Sequence, residues 1–447
     1  MAHRQSSGVR EVLTSFLPQR LLTRLATEAG VGQRRRKVRA PALFWTLVLG
    51  FGAGRERTLS GLRRAFERAS RTTLVASAFY DRFTPQLARF LRTVAVHLLG
   101  RVAEPVRAAR GPLAAFRDVV AADATVIRLH DLLARAFKAS RTNHTLAALK
   151  LHTVISVLGR GPRSVKITAE RVHDGPVLRV GKWVEGRLLL FDLAYFRFQL
   201  FSCIRRNGGF FIVRLKKSAD PVVVGLHRRW RGRAVPVLGR RVSEFVDQLQ
   251  RQVIDVEVEV NVRRRAYAGI RHMDRERFRL VGVRDPATGE HHLYLTNIPP
   301  EKLSAEDIAQ TYAARWAIEL FFRELKRRYR IDDMPSTKRH IVEALVWAAL
   351  ITFAVSRELL AWLRRRLGQR GDRVPEERWA CLFAEVAGDL LRLVLAAPGM
   401  AALLIGALEL TLLHEAVDPN LGRALLLRRI ESRSQFRHRA ALGGAHA

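Results

Sequence analysis

Four side chains between residues 312 and 326 have the chemistry to hold a metal ion beside a phosphate. They are Tyr312, Arg315, Glu319 and Lys326. On a single helix, which turns about 100° per residue, the four positions lie within about 60° of one another. Carboxylate oxygens suit Mg²⁺, whereas guanidinium and ammonium groups suit phosphate oxygens. The spacing therefore predicts a polar stripe that holds a metal ion and a phosphate together.

Local signals predict that one helix carries this stripe. Ser304 and Asp307 form a capping-box start, and neither Gly nor Pro follows before Pro335. The opposite face is apolar and is expected to be buried; it comprises Ala314, Ile318, Phe321 and Leu325. The alternative interpretation is a surface helix with i,i+4 ion pairs such as Arg315 with Glu319, each worth a few tenths of a kcal/mol.

Two aspartates supply further candidate metal ligands. Asp123 and Asp192 each follow a short apolar run that is typical of a buried strand. A two-metal site for phosphoryl transfer needs carboxylates that converge on ions about 3.5–4 Å apart. Asp118 is an alternative to Asp123 as the first metal ligand. It lies five residues earlier, so on a strand its side chain is expected on the opposite face, toward solvent or Arg117. Asp192 could also cap the helix that is expected after it.

The stripe resembles the YREK signature of DDE transposases from bacterial insertion sequences, in the insertion-sequence-four-like group. Tyr, two residues, Arg, three residues, Glu, six residues and Lys match that signature. The two aspartates resemble the family's first and second, although Leu193 and Ala194 stand where the family often has Arg-Gly. Four residues between the aspartates also match residues that are common in family sequences: Lys150, His152, His173 and Asp174. We expect no catalytic role for the two histidines.

The resemblance implies a set of site residues. Asp123, Asp192 and Glu319 would be the catalytic residues and the ligands of two Mg²⁺ ions, with Mn²⁺ as a substitute. Family spacing selects Glu319 over Glu324, which lies about 140° further round a helix. The expected DNA contacts come from the stripe and its neighbours: Tyr312, Arg315, Lys326, Arg323 and Trp316.

The resemblance also implies an α/β fold: a ribonuclease-H-like catalytic core with a β-rich insertion, flanked by N- and C-terminal helical domains. Two aromatic residues of the insertion, Tyr294 and Trp230, are candidates for stacking on a flipped base. The expected divisions are a helical DNA-binding domain (1–112), the first part of the core (113–220), the insertion (221–300), the catalytic Glu helix (301–345) and a C-terminal helical region for dimerisation or DNA contact (346–447).

Periodicity predicts individual elements within these divisions. Helices are expected over 12–25 and 87–99. Separate short strands are expected over 119–122 and 125–129, and another over 187–191. The strictly alternating run at 254–262 predicts a half-buried strand.

Composition favours a polyanion partner. The chain has 447 residues and a net charge of +37, from 78 Lys and Arg against 41 Asp and Glu. A basic cluster at 34–39 and an Arg-rich stretch at 423–439 add to this charge. Two cysteines without metal-ligand spacing and no apolar N-terminal segment indicate a cytoplasmic protein. The apolar runs are short or broken by Pro and Gly, which predicts buried helices and no membrane partner.

These features predict a DNA transposase of a bacterial insertion sequence that cuts element ends and joins them to a target. Its partners would be double-stranded DNA, as terminal repeats and as target, and a second copy of the chain in a homodimer on DNA. One alternative is a ribonuclease-H-like nuclease that cuts without joining. Another is a decayed or domesticated copy that acts only as a DNA-binding protein.

Overall fold

The computed structural model describes residues 8–31, 38–105, 111–140, 145–228, 236–263, 273–286 and 288–418. Residues 34–37 of the basic cluster, Trp230 and the Arg-rich stretch at 423–439 lie outside the described residues.

A mixed sheet of nine strands forms the centre of the described protein. Its strands are β1 (Asp118–Leu129), β2 (Ala147–Ser156), β3 (Pro162–Ala169), β4 (Arg187–Phe191), β5 (Phe210–Arg214), β6 (Val222–Leu226), β7 (Val253–Arg263), β8 (Met273–Arg284) and β9 (His291–Thr296). Their order across the sheet is β3-β2-β1-β4-β5-β9-β8-β7-β6. The strands of the predicted insertion, β6 to β9, therefore extend the same sheet as the first five strands.

Three neighbouring parallel strands occupy the third to fifth positions in the sheet. β1 pairs with β4 and β4 with β5 in parallel, whereas β2 and β3 are antiparallel to their neighbours. The strand predicted at 187–191 is confirmed, and all its residues are buried, as expected for a central parallel strand. The expectation of two short strands at 119–122 and 125–129 is wrong. Asp123 and Ala124 continue the ladder with β2, so one strand spans both runs.

Helices precede the sheet in the N-terminal part of the described chain. They are α1 (Val9–Phe16), α2 (Gln19–Glu28), α3 (Ala40–Thr46), α4 (Leu59–Ser70), α5 (Ala76–Tyr80) and α6 (Pro85–Val102), with a π-helical turn at Leu47–Gly52. The single helix predicted over 12–25 is wrong. Pro18 lacks the N–H that a helix interior needs, and it stands at the start of α2 after α1 has ended.

Four further helices pack around the sheet: α7 (Asp174–Val177), α8 (Phe198–Arg206), α9 (Ala305–Tyr312) and α10 (Trp316–Arg327). The predicted start of α9 is confirmed, because Ser304 Oγ accepts the Asp307 N–H at 3.1 Å. The expectation of one continuous helix through the polar stripe is wrong. A 3₁₀ turn at Ala313–Arg315 separates α9 from α10. Its tighter winding shifts Tyr312 relative to the other three polar residues.

The described chain ends in three long helices: α11 (Arg339–Leu367), α12 (Glu376–Leu395) and α13 (Pro398–Glu415). One helical stretch of the described residues, Arg339–Arg373, has the length and apolar composition to cross a membrane, but most of it is buried in the fold. The helices from both ends of the chain share one apolar core with one face of β1 and β2 and with the buried face of α10. The predicted burial of that α10 face is confirmed for Ile318, Phe321 and Leu325.

Candidate active site

Asp123 and Asp192 occupy matching positions on two adjacent parallel strands. The last paired residues of β1 and β4 are Ala122 and Phe191, and the aspartates come next on each chain. Ala122 and Phe191 both pack into the core on one side of the sheet. Because side chains alternate along a strand, both carboxylates are directed to the other side, against which α10 packs. The sheet therefore brings these two predicted ligands together.

The Asp123 carboxylate lies in an unfavourable environment for a negative charge. Burial, together with the charges of Asp192 and Asp174, raises its pKa from 3.8 to about 6. The Ala124 N–H, which donates to Oδ1 at 2.7 Å, and the Arg315 guanidinium oppose this shift. A buried carboxylate that faces a second carboxylate is the arrangement that a bound cation stabilises.

Asp192 adopts an extended conformation immediately after β4. Its φ and ψ are −81° and 165°, and a 3₁₀ turn (Leu193–Tyr195) follows. Its side chain accepts no capping hydrogen bond from that turn. The interpretation of Asp192 as a helix cap is therefore wrong in this structure. Leu193 and Ala194, which stand where the family often has Arg-Gly, are both exposed at this edge of the sheet.

Glu319 is held by an arginine of the same segment. Arg315 Nη2 lies 2.7 Å from Glu319 Oε1, so the i,i+4 ion pair of the alternative interpretation does form. Burial disfavours the charge of Arg315, but Tyr312, Glu319 and Asp192 raise its pKa above the usual range. The same guanidinium lowers the pKa of Asp123. Arg315 therefore interacts with all three predicted catalytic carboxylates.

Two members of the stripe bind backbone oxygens of the strands that carry the aspartates. Tyr312 Oη donates to the Phe191 carbonyl at 3.0 Å, and Lys326 Nζ donates to the Val126 carbonyl at 2.9 Å. Burial raises the pKa of Tyr312 to about 12, so its phenol keeps its proton. This arrangement departs from the expectation of a stripe that is open to phosphate, because buried carbonyls near the strand ends require donors. In this structure both residues fix the helices to the sheet.

Trp316 and Arg323 lie on the outer surface of α10. The Trp316 side chain is 51% exposed, and Arg323 is also exposed. An indole and a guanidinium on one helix surface suit stacking and phosphate contact. Tyr294, in contrast, is buried and packs against Tyr312 with ring centroids 5.2 Å apart, which is a core position.

The two competing acids have structural partners elsewhere. Asp118 is buried and accepts a hydrogen bond from Ser156 Oγ at 2.9 Å, so the expectation that it meets solvent or Arg117 is wrong. Glu324 lies 2.5 Å from Arg357 Nη2 and accepts from Tyr329 Oη at 3.1 Å. Glu319 and Glu324 therefore face different parts of the protein.

Asp174 is a site residue for which the sequence pattern predicts no role. Its Oδ1 lies 3.1 Å from Lys150 Nζ and 3.3 Å from His152 Nδ1. Burial lowers the pKa of His152 to about 4, so its imidazole is neutral at pH 7. The negative charge of Asp174 contributes to the raised pKa of Asp123, so a further carboxylate lies near the predicted pair. The sequence offered one indication of this placement, namely that Asp174 is an acidic residue between Asp123 and Asp192, which both follow apolar runs typical of strands.

The donor set suits a hard divalent cation. Within the described residues, no three His, Cys, Asp or Glu side chains are grouped closely enough to hold a metal ion. Asp123 and Asp192 nevertheless offer carboxylate oxygens on one face of the sheet, and Mg²⁺ prefers such oxygens. Glu319 would join them by leaving Arg315, because that ion pair now holds its carboxylate.

A family model described as "Transposase DDE domain" matches residues 114–354, which is more than half of the chain. A putative transposase of Sinorhizobium fredii is 28% identical over 218 residues, covering 49% of this chain and 55% of the relative. A probable transposase for insertion sequence element IS5377 of Geobacillus stearothermophilus is 27% identical over 220 residues, covering 48% and 50%. The chain thus spans about half the length of these two curated relatives.

More distant similarities cover more of the chain. The transposase for insertion sequence element IS231B of Bacillus thuringiensis is 20% identical over 406 residues, covering 81% of this chain and 82% of the relative. A cryo-EM structure of the piggyBac transposase synaptic complex with hairpin DNA covers 94% of this chain and 88% of that one, with 9% identity and a TM-score of 0.42. That likeness is too distant to support an argument. On the family match, whose span includes Asp123, Asp192 and Glu319, the chain belongs to the family of transposases with a DDE domain.

Proposed function

We propose that this protein is the DNA transposase of a bacterial insertion sequence of the insertion-sequence-four-like group. The observation that carries the proposal is the position of Asp123 and Asp192 at matching places on parallel strands, within the matched DDE domain. The strand order β3-β2-β1-β4-β5, with β1, β4 and β5 parallel, supports a ribonuclease-H-like core. The net charge of +37 supports DNA as the partner.

In this proposal Asp123, Asp192 and Glu319 hold two Mg²⁺ ions, or Mn²⁺ in their place. Such ions activate a water and stabilise the charge that develops on a scissile phosphate. The chain itself contributes the placement of the carboxylates. The Tyr312 hydrogen bond to Phe191 fixes the residue immediately before Asp192, and the Lys326 bond to Val126 fixes α10 along β1.

Arg315 has a second task in this mechanism. Its guanidinium neutralises the carboxylates in the metal-free protein, as its ion pair with Glu319 and its effect on Asp123 indicate. With Glu319 as a metal ligand, Arg315 would be free to bind phosphate oxygens beside the scissile bond. Arg323 and Trp316 extend the contact along the DNA. Synapsis of two element ends calls for two copies of the chain on DNA, and the reaction takes place in the cytoplasm.

A second candidate function is DNA binding without cutting. The ion pair of Glu319 with Arg315 favours it, since that pair keeps the third carboxylate from the aspartates. Leu193 and Ala194 also replace the Arg-Gly that the family often has at these positions. A nuclease that cuts without joining is a third possibility for the same site.

Incubation with DNA that carries both ends of the element distinguishes these functions. Inverted repeats found at the two sides of the coding region would supply the substrate. A transposase cuts at the ends with Mg²⁺ or Mn²⁺ and joins the 3′ ends to a target plasmid, and EDTA stops both steps. Cut ends without joined products would instead identify a nuclease. Binding without cutting, with either metal, would identify a DNA-binding protein and contradict the proposal.

A further inference from the structure

A cavity of about 540 Å³ lies on another side of α10 from Glu319. It is enclosed by α10, α11, the start of α12 and the turn between β2 and β3. Its volume falls in the range that small ligands occupy in proteins. The cavity is separate from the candidate active site, because α10 contributes Leu320, Arg323 and Glu324 to it, whereas Glu319 pairs with Arg315.

The cavity has an excess of positive charge. Within the described residues, its lining includes six arginines and four acidic residues. Arg160 is paired with Glu358 at 2.6 Å and Arg328 with Glu377 at 3.3 Å. The excess charge therefore rests on other arginines of the lining.

Two of those arginines lie one helical turn apart at the rim. Arg323 and Arg327 are both exposed on α10, and the described residues provide no ion pair for either. Like charges at i and i+4 repel each other unless an anion lies between them. Such a pair is suited to hold a phosphate from two sides.

A third arginine is fixed in the wall of the cavity by its own partners. Arg357 is 7% exposed and lines the cavity. Its Nη2 pairs with Glu324 at 2.5 Å and with Glu376 at 3.3 Å. Its Nη1 is buried and has no hydrogen-bond partner among the described residues. That atom has almost no accessible surface, and the guanidinium carbon lies 4.6 Å from the centre of the Phe353 ring, so Arg357 is held by its own neighbours and leaves contact with a ligand to Arg323 and Arg327.

The remaining lining is largely apolar. Phe321 and Phe353 meet edge to face with ring centroids 4.8 Å apart, and both line the cavity. An apolar interior below a cationic rim suits a ligand with a phosphate at one end.

We propose that this cavity is a phosphate-binding site, in which Arg323 and Arg327 hold the phosphate at the rim. The phosphate belongs either to a free phosphorylated compound or to the DNA backbone. In the second case the site extends the proposed DNA interface and so rests on the proposed function. The site needs no metal ion and no strand cleavage.

Calorimetric titration of the full chain with inorganic pyrophosphate, in EDTA, tests the site directly. We expect one pyrophosphate per chain and a loss of affinity of at least about tenfold in Arg323→Gln/Arg327→Gln, since charge-assisted bonds are removed. Arg365→Gln/Arg370→Gln is the matched control, because both arginines are exposed and neither lines the cavity. It removes the same charge and should change the affinity less than about twofold.

Absence of pyrophosphate binding to the wild type, or an equal loss in the control, would overturn the proposal. Competition then identifies the source of the phosphate. Displacement of pyrophosphate by an element-end duplex indicates the DNA backbone, whereas binding of ADP beside a bound duplex indicates a free compound. Cleavage plays no part in these titrations, so failure of the phosphate site and failure of the transposase proposal are distinguishable.

Discussion

Replacing Asp123 with Asn should stabilise the metal-free protein at neutral pH. Burial and the charge of Asp192 raise the pKa of Asp123 from 3.8 to about 6 in the folded state. A carboxylate with a raised pKa destabilises the fold where it is ionised, so the penalty grows as pH rises from 3.8 to 6 and is complete above 6. The difference corresponds to roughly 3 kcal/mol as an upper limit, and we expect about 1–3 kcal/mol because solvent reaches part of the side chain.

Urea unfolding in EDTA measures this effect as the difference between Asp123→Asn and the wild type. The variant should be more stable by about 1–3 kcal/mol at pH 7.5, by about half as much at pH 5, and by about a fifth as much at pH 4. Asp81→Asn serves as the control, because Asp81 is exposed at the end of α5 and should show no such difference. A variant that is less stable than the wild type at pH 7.5 would refute the reasoning. It would show that native contacts of the Asp123 carboxylate outweigh its burial beside Asp192.

Three further substitutions test the supports of the site. Glu324→Gln leaves the buried charge of Arg357 without its nearest partner and should lower the free energy of unfolding by about 3–5 kcal/mol, measured with urea. Tyr312→Phe removes one hydrogen bond, worth about 1 kcal/mol; the rate of end cleavage should fall while DNA affinity is unchanged, and an unchanged rate would exclude a positioning role. Lys326→Ala should reduce the slope of log affinity for an element-end duplex against log salt by about one, if Lys326 turns to the DNA. Arg365→Ala is the matched control, and equal slopes would mean that Lys326 only fixes α10 to the sheet.

The elements predicted correctly from the sequence are those whose bounds depend on local residue patterns. The apolar run that became β4 has no competing turn signal, so its bounds were predicted correctly. The start of α9 was likewise predicted from Ser304 and Asp307. The break at Ala313–Arg315 carries no Gly or Pro, and it has no local signal. Tertiary contacts explain it, since Tyr312 is drawn to the Phe191 carbonyl.

The candidate site shows the same limit. The apolar runs before them and the family resemblance identified Asp123 and Asp192, and strand pairing places them at matching positions. Spacing allowed Glu319 to pair with Arg315 or to bind a metal ion, and it could not decide between the two, because the partner of such a side chain depends on the whole site. Asp174 was missed as a partner of Asp123 because its approach depends on where α7 packs.

The measurement that tests the central claim most directly compares cleavage and binding in Asp192→Asn. The substitution removes a carboxylate and leaves the size of the side chain nearly unchanged. We expect Mg²⁺-dependent cutting of an element-end duplex to be abolished, while the affinity for that duplex stays within about twofold of wild type, because no phosphate contact is lost. A variant that cuts at the wild-type rate would contradict the account, since Asp192 could then not be a ligand of the catalytic metal.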